Sequence, residues 1–352
     1  MDNVRLNVAW VAVALAAALG AKAAGVEWLV FVASVLGIIP CAALIGQSTE
    51  DLAVYAGPRI GGFLNATFAN LPELIVSAFL ILGGQVEVVK LAITGAIVGN
   101  LLLVLGAALL SGGMKFQEQE FNAKVASVHT VSLVLAEVGL IMPALIHDAA
   151  PHASLGSREG VSGAVAGILI ALYLASLLFS FRTHKDVLGI PVSEATARWS
   201  RPGATVLLAG AAVAIAVLSD LLVGSLDPAV KALALPTTFV GFVIVPVVGN
   251  AAEHASAVRF GLRDQMDVAI EVAVGSSTQI ALFVAPLLVF FSLAVRKPID
   301  FFFSGFEVAA VGISTLIVSL ISRDGRSDWL EGAQLVAAYA IIATSVFFLP
   351  GG

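Results

Sequence analysis

The sequence predicts an all-α integral membrane protein of about 11 transmembrane helices, and three observations carry that reading. Only 12% of the 352 residues are charged and 59% are hydrophobic, where a soluble domain carries about 25% charge. Apolar runs of about 20 residues, long enough at about 1.5 Å per residue to cross a hydrocarbon core of about 30 Å, recur along the chain. They are continuously apolar, without the alternation that a barrel strand requires.

In order, the first run covers 6–24. It follows Arg5 and ends at Ala21-Lys22-Ala23, which imitates a secretory signal with a small-residue cleavage site. Read as retained, residues 1–27 form one peripheral N-terminal helix. Runs at 28–46, 61–83, 88–110, 125–146 and 161–181 make a first group of five helices, residues 28–182. The polar stretch 183–203, with Pro191 and Pro202, reads as a cytoplasmic linker. Runs at 204–222, 236–259, 267–293, 303–322 and 329–349 make a second five, residues 204–352.

Basic residues set the expected orientation. Arg5, Arg59, Lys115, Lys124, Arg182, Lys185, Arg198, Arg201, Arg259, Arg263, Arg323 and Arg326 fall on one side, against Lys22, Lys90, Arg158, Lys231, Arg296 and Lys297 on the other. The excess places the N-terminus in the cytoplasm and, with an odd count of spans, the C-terminus outside, in a bacterial or archaeal plasma membrane.

Several function classes recede on composition alone. A single cysteine, Cys41, forms no intramolecular disulfide and has no metal-site spacing around it. No basic cluster is dense enough for nucleic acid. Glu253-His254 lacks the second histidine of a zinc protease, and no serine sits beside an evident base, so an enzyme is not expected. No cofactor is expected either. The partners expected are ions and lipid, and a homo-oligomer is compatible with the sequence.

Two short segments recur 180 residues apart, each with a carboxylate inside an apolar run: Ala69-Asn70-Leu71-Pro72-Glu73 and Gly249-Asn250-Ala251-Ala252-Glu253. At the same offset Gly95 matches Gly275 at the head of the next run. A charge at mid-membrane costs about 2.5 kcal/mol or more, so the repeated Asn and Glu are the residues hydrocarbon tolerates least. Five crossings separate the copies, which makes the repeat inverted. Inverted repeats with Pro- or Gly-interrupted helices are a recurrent transporter construction, with the substrate near the midplane. Helices three and four are then expected to face helices eight and nine.

In helix three, Asn70, Glu73 and Ser77 are spaced to share one face. Pro72 is expected to disturb the helix and free carbonyls near Phe68 and Ala69, and Pro246 to do the same near Val248 and Gly249. Two carboxylates, two amides and loosened carbonyls make an all-oxygen site that suits a hard cation, Ca²⁺ above Mg²⁺. The metal set is thus Glu73, Glu253, Asn70 and Asn250, with Glu73 and Glu253 also carrying protons. His254, about 100° from Glu253 on an ideal helix, suits a pH-responsive role beside the site. Gly95 and Gly99 form a small-residue pair for close helix approach, followed by Asn100. Helix nine carries Ser276, Ser277, Thr278 and Gln279 in a row. Asn100, Ser276, Ser277 and Gln279 are expected to line a polar cavity with Ser77. Glu137, Asp220 and Glu307 lack repeated surroundings and suit interhelical bonding or interfacial exposure, and Glu50 and Asp51 read as solvated loop acids or a cation-collecting mouth.

The segments Gly61 through Ile75 and Val248 through Ala257, with Thr94 through Val104, Gly275 through Ala281 and Thr49-Glu50 through Gly57-Pro58-Arg59, resemble the signature motifs of Ca²⁺/H⁺ antiporters, the cation/proton exchanger branch of the Ca²⁺/cation antiporter superfamily. The resemblance covers most of the chain. It implies eleven helices, a cytosolic N-terminus, and a pair, Glu73 and Glu253, that binds Ca²⁺ or protons alternately. Ala69 stands where the motif has Gly, and Pro72 is unusual there. The alternatives of the same architecture are a Na⁺(K⁺)/H⁺ or Na⁺/Ca²⁺ exchanger; a cation channel is the alternative of another class.

Overall fold

The computed structural model describes residues 2–149, 155–180 and 197–349. In chain order the elements are α1 (Asp2–Ala23), α2 (Glu27–Phe68), α3 (Leu71–Leu82), α4 (Val86–Phe116), β1 (Glu118–Glu120), α5 (Ala123–Ala149), α6 (Leu155–Leu178), α7 (Arg201–Leu233), α8 (Thr237–Gly249), α9 (Ala251–Gly261), α10 (Met266–Ala294), α11 (Gly305–Ile321), β2 (Arg326–Asp328) and α12 (Trp329–Phe348). Among the described residues eight helices are long and apolar enough to cross a membrane, and α8 with α9 qualifies as a ninth, broken span. α3 and α11 are shorter apolar helices. The third predicted run is divided: its first part completes α2 and its second forms α3. Most of the predicted 183–203 linker lies outside the described residues.

Two compact units emerge, Met1–Val89 with Ile190–Ala252 and Leu349–Gly352, and Lys90–Gly189 with Glu253–Phe348. Each draws on both sequence halves, so compactness follows a different division from the 28–182 and 204–352 repeats. Two pairs of helices at corresponding places in the two halves, α2 with α7 and α5 with α11, pack on each other.

In the first unit α2 and α7 run together, with α1 against α2 and α3 against α7. Gly37 sits where they crowd: a methyl group there would lie 2.8 Å from Ala14 Cβ and 2.9 Å from Leu218 Cδ1. Small residues at such points let membrane helices approach, since burial in lipid supplies no hydrophobic drive between them. The outer face of α1, with Leu6, Trp10 and Val13, is exposed. Gly57, at φ 79° and ψ 171°, interrupts the path of α2, a conformation open to glycine alone. The acids before it are helical rather than in a loop. Glu50 is exposed and pairs with Arg198 Nη2 at 3.0 Å. Asp51 is buried and accepts the Arg198 N–H at 3.0 Å, so the solvated reading fails for Asp51 because the chain around Arg198 folds over it.

In the second unit α4 packs on α12, α5 on α11, and α6 on the C-terminal part of α10. The close approach expected at Gly99 is found further along α4. Gly99 has only an ordinary contact, Tyr339 Cε2 at 3.9 Å, whereas a methyl group on Gly106 would lie 2.8 Å from Leu335 Cβ and 3.0 Å from the Gly332 carbonyl oxygen. An all-helical chain is also not quite what forms. β1 and β2 pair antiparallel, with Gln119 opposite Ser327. Gln119 Nε2 donates to the Gly261 carbonyl at 3.0 Å and to Asp264 Oδ1 at 2.8 Å, and Lys115 Nζ donates to the Leu262 carbonyl at 2.8 Å. These polar loop ends leave no trace in hydropathy, which is why the sequence reading misses the ribbon.

Candidate functional site

Within the first unit, the helix break falls on the repeated asparagine. Asn70 stands between α2 and α3 at φ −86°, ψ 10°, and Asn250 stands between α8 and α9 at φ −94°, ψ 10°. Both occupy the sparsely populated bridge region, and the same conformation at matched positions is the backbone signature of the repeat. Glu73 and Glu253 are therefore not mid-helix residues. Each is the third residue of a new half-helix, in the first turn, where the unpaired N–H groups and the helix dipole favour a carboxylate. The Asn-x-x-Glu spacing imitates a capping box, yet Asn70 makes no side-chain cap bond.

Pro72 does not interrupt a helix. It lies in the first two positions of α3, where its missing N–H has no intrahelical acceptor to forgo. Asn70 thus lies before α3 rather than on its face, and the face-sharing argument holds for Glu73 and the buried Ser77 alone. Pro246 follows a π-turn over Val240–Ile244, a widening that accommodates its missing N–H inside α8. The Asn250 backbone N–H and side-chain Nδ2 both donate to the Pro246 carbonyl, at 3.0 and 2.9 Å. Asn250 Oδ1 is buried with no hydrogen-bond partner among the described residues. α8 packs against α2 and α3, and the Glu73 carboxylate lies over Gly249: a methyl group there would come within 3.3 Å of Glu73 Oε1.

Within the second unit, Ser276 Oγ donates to Glu253 Oε2 at 2.7 Å. Ser277 donates to the Ala273 carbonyl at 2.9 Å and to Ile97 of α4 at 3.3 Å, and Thr278 to the Val274 carbonyl at 2.8 Å. So of the four consecutive polar residues, Ser276 meets the carboxylate, while Ser277 and Thr278 spend their hydroxyls on backbone. Gln279 is half-buried. Asn100 is buried at the start of a π-turn, Gly99–Val104, and neither its Oδ1 nor its Nδ2 has a hydrogen-bond partner among the described residues. A second π-turn, Ile280–Val284, occupies the repeat-related place in α10. Such turns concentrate at functional sites. His254 is half-buried and forms no hydrogen bond or ion pair among the described residues.

The weaker acids divide as their surroundings dictate. Glu137 accepts from Thr315 of α11, and Glu307 closes a capping box with Ser304 at the start of α11; both are structural. Asp220 is exposed on α7. One pair was not anticipated: His129 Nε2 of α5 lies 2.6 Å from Glu271 Oε2 of α10. Its only advance signal was an acid and an imidazole inside two apolar runs. Among the described residues no cluster of three or more His, Cys, Asp or Glu side chains is arranged to hold a metal, so a cation here would need amide and carbonyl oxygens as well as carboxylates.

Comparison with known proteins agrees with this architecture. The profile of the sodium/calcium exchanger protein family matches residues 26–182 and 203–348. The chain is 42% identical over 342 residues to a Ca(2+)/H(+) antiporter of Synechocystis sp., covering 92% of each. It is 39% identical over 318 residues to the Ca(2+)/H(+) antiporter ChaA of Bacillus subtilis, covering 89% of this chain and 90% of that one. The solved structure of native YfkE superimposes with a TM-score of 0.85 at 34% identity, over 97% of this chain and 100% of that one. The H+/Ca2+ exchanger CAX shares the fold, with a TM-score of 0.75 at 15% identity over 99% and 93%. With paired half-helices, each opening on Asn-x-x-Glu, and a family profile running across both halves, this chain belongs to the sodium/calcium exchanger protein family.

Proposed function

We propose that the protein exchanges Ca²⁺ for H⁺ across a membrane by alternating access, and that Glu73 and Glu253 are the groups for which the two ions compete. The observation that carries this reading is the matched pair of half-helices, each with a glutamate in its first turn behind an asparagine in the bridge conformation. Two carboxylates bind a divalent cation when ionised and two protons when not, so either ion displaces the other. Exchange then requires that the empty, charged pair not cross between access states. Asn70 and Asn250, with backbone carbonyls of Phe68, Ala69, Val248 and Gly249, supply further oxygen to the ion. Ser77, Asn100, Ser276, Ser277 and Gln279 line its path, and His254 tunes the proton response. The orientation follows the basic residues, with the N-terminus cytoplasmic and the C-terminus outside.

The Na⁺-coupled alternatives are less favoured, because the curated relatives at 42% and 39% identity are named for Ca²⁺ and H⁺. The test is uptake of radioactive Ca²⁺ into proteoliposomes under an imposed pH gradient, with proton flux followed in parallel. Glu73→Gln and Glu253→Gln are each expected to abolish Ca²⁺-dependent proton movement. Protons occupy the pair as pH falls, so apparent Ca²⁺ affinity is expected to drop between about pH 8 and 6. An affinity flat across that range, or substantial exchange in either variant, overturns the shared-site mechanism.

A further inference from the structure

The β ribbon of the second unit closes on the half-helix that carries Glu253. α9 has only 11 residues, Ala251–Gly261, with Glu253 in its first turn. The chain leaves helical geometry at Asn250, just before it, so no continuous helix fixes α9 from its N-terminal side. Within the second unit, contacts at its two ends hold it. At one end Ser276 Oγ of α10 donates to Glu253 Oε2 at 2.7 Å. At the other, α9 turns into α10, the Gln265 N–H donating back to the Phe260 carbonyl at 3.0 Å and Asp264 standing in the left-handed region at φ 59°. Gln119 of β1 meets this turn.

Gln119 is 1% exposed. Its Nε2 donates to the Gly261 carbonyl at 3.0 Å and to Asp264 Oδ1 at 2.8 Å, which uses both amide hydrogens. Four residues earlier, Lys115 Nζ donates to the Leu262 carbonyl at 2.8 Å. A helix leaves its last carbonyls without intrahelical partners, and a cation at that end complements the dipole; α9 receives a donor and a cation from one stretch of chain. The backbones are equally close. A methyl group on Gly261 would lie 3.0 Å from the Ala108 carbonyl carbon, and one on Gly112 would lie 2.8 Å from the Gly261 carbonyl oxygen. β1 is itself held on its far side, where Arg326 of β2 pairs with Glu118 at 2.9 Å and the Phe121 N–H donates to the Gly325 carbonyl at 2.8 Å. Asp267, at the head of α10, accepts the Asn122 N–H at 2.6 Å.

We propose that Gln119 is a positioning residue for Glu253: by pinning the C-terminal end of α9 to the ribbon, it fixes where the Glu253 carboxylate stands beside Ser276. This rests on the Ca²⁺/H⁺ exchange reading above. Gln119 touches no ion and acts only through the half-helix. Without its two donors α9 samples other positions, and a fraction of the molecules holds Glu253 in place at any moment. Apparent affinity falls by that fraction, while saturating ion draws the population back to the competent position. Loss of the pin therefore changes the Ca²⁺ concentration at half-saturation and spares the maximal rate.

The test is the initial rate of Ca²⁺ uptake into proteoliposomes at a fixed pH gradient, measured against Ca²⁺ concentration. Gln119→Met keeps the side-chain length and loses both donors; it is expected to raise half-saturating Ca²⁺ about tenfold and to leave the maximal rate within about twofold. Gln119→Lys restores donors to the same two oxygens and is expected to stay within about threefold of the unaltered protein. Lys115→Met, at an exposed position, is expected to shift half-saturation in the same direction by about threefold, and it decides the matter if Gln119→Met does not fold. A lower maximal rate at unchanged half-saturation marks the ribbon as a contact of the fold alone and overturns the positioning role. So does a Lys variant as weak as the Met variant, or an unchanged half-saturation in Lys115→Met. An unaltered protein without saturable Ca²⁺/H⁺ exchange removes instead the exchange reading on which the role rests.

Discussion

At the scale of single residues, position within a half-helix matters more than residue type. Glu73 and Glu253 stood out in the sequence because a repeated acid in hydrocarbon needs a reason to persist. Their place in a first turn was not, since Pro72 reads equally as a kink inside a helix or as the second residue of a new one. Ser276 shows how tertiary contact sorts an ambiguous run. Its hydroxyl reaches the carboxylate of Glu253, while those of Ser277 and Thr278 go to backbone carbonyls. Removing a hydrogen bond to a charged group costs about 1.5–3 kcal/mol. Ser276→Ala is therefore expected to lower Ca²⁺/H⁺ exchange roughly tenfold or more, with the yield of folded protein unchanged, as judged by size-exclusion profiles alongside flux. Unchanged flux would reduce Ser276 to a helix-stabilising hydroxyl.

At the scale of elements, small residues decide which helices touch. Gly332 of α12 faces α4 so closely that a methyl group would overlap the Leu110 backbone, and backbone cannot step aside as a flexible side chain can. Gly332→Ala is expected to cost about 1–3 kcal/mol, read as a lower melting temperature in detergent. Gly20→Ala is the matched control, because nothing lies within 4 Å of that position; equal destabilisation by both would mean that close packing is not the cause. Hydropathy located the apolar runs but not the contacts: Gly99 belongs to a small-residue pair, yet the crowding along α4 falls at Gly106 and beyond. Nor did it find the β ribbon or the His129–Glu271 pair, whose partners come from segments far apart in sequence with no shared period.

At the scale of the whole molecule, orientation is the testable consequence of the basic-residue excess. Arg263 and Lys297 are exposed at opposite ends of α10, and the native Cys41 is buried. Cysteines at 263 and 297 are expected to react with an impermeant thiol reagent from opposite faces, 263 from the cytoplasm and 297 from outside. Labelling of both from one face would mean that α10 does not span. The sequence by itself determined that the chain is helical and membrane-embedded and that an Asn-x-x-Glu segment recurs in its two halves. Hydrocarbon acts on each segment separately and excludes charge one residue at a time, so those facts are local. Only the tertiary structure decided that the helices break at Asn70 and Asn250, that each compact unit is assembled from both halves, and that Ser276 holds Glu253 while Ser277 and Thr278 bond backbone. Those outcomes depend on which backbones pack together, and packing is fixed by shape between segments that the linear order does not join.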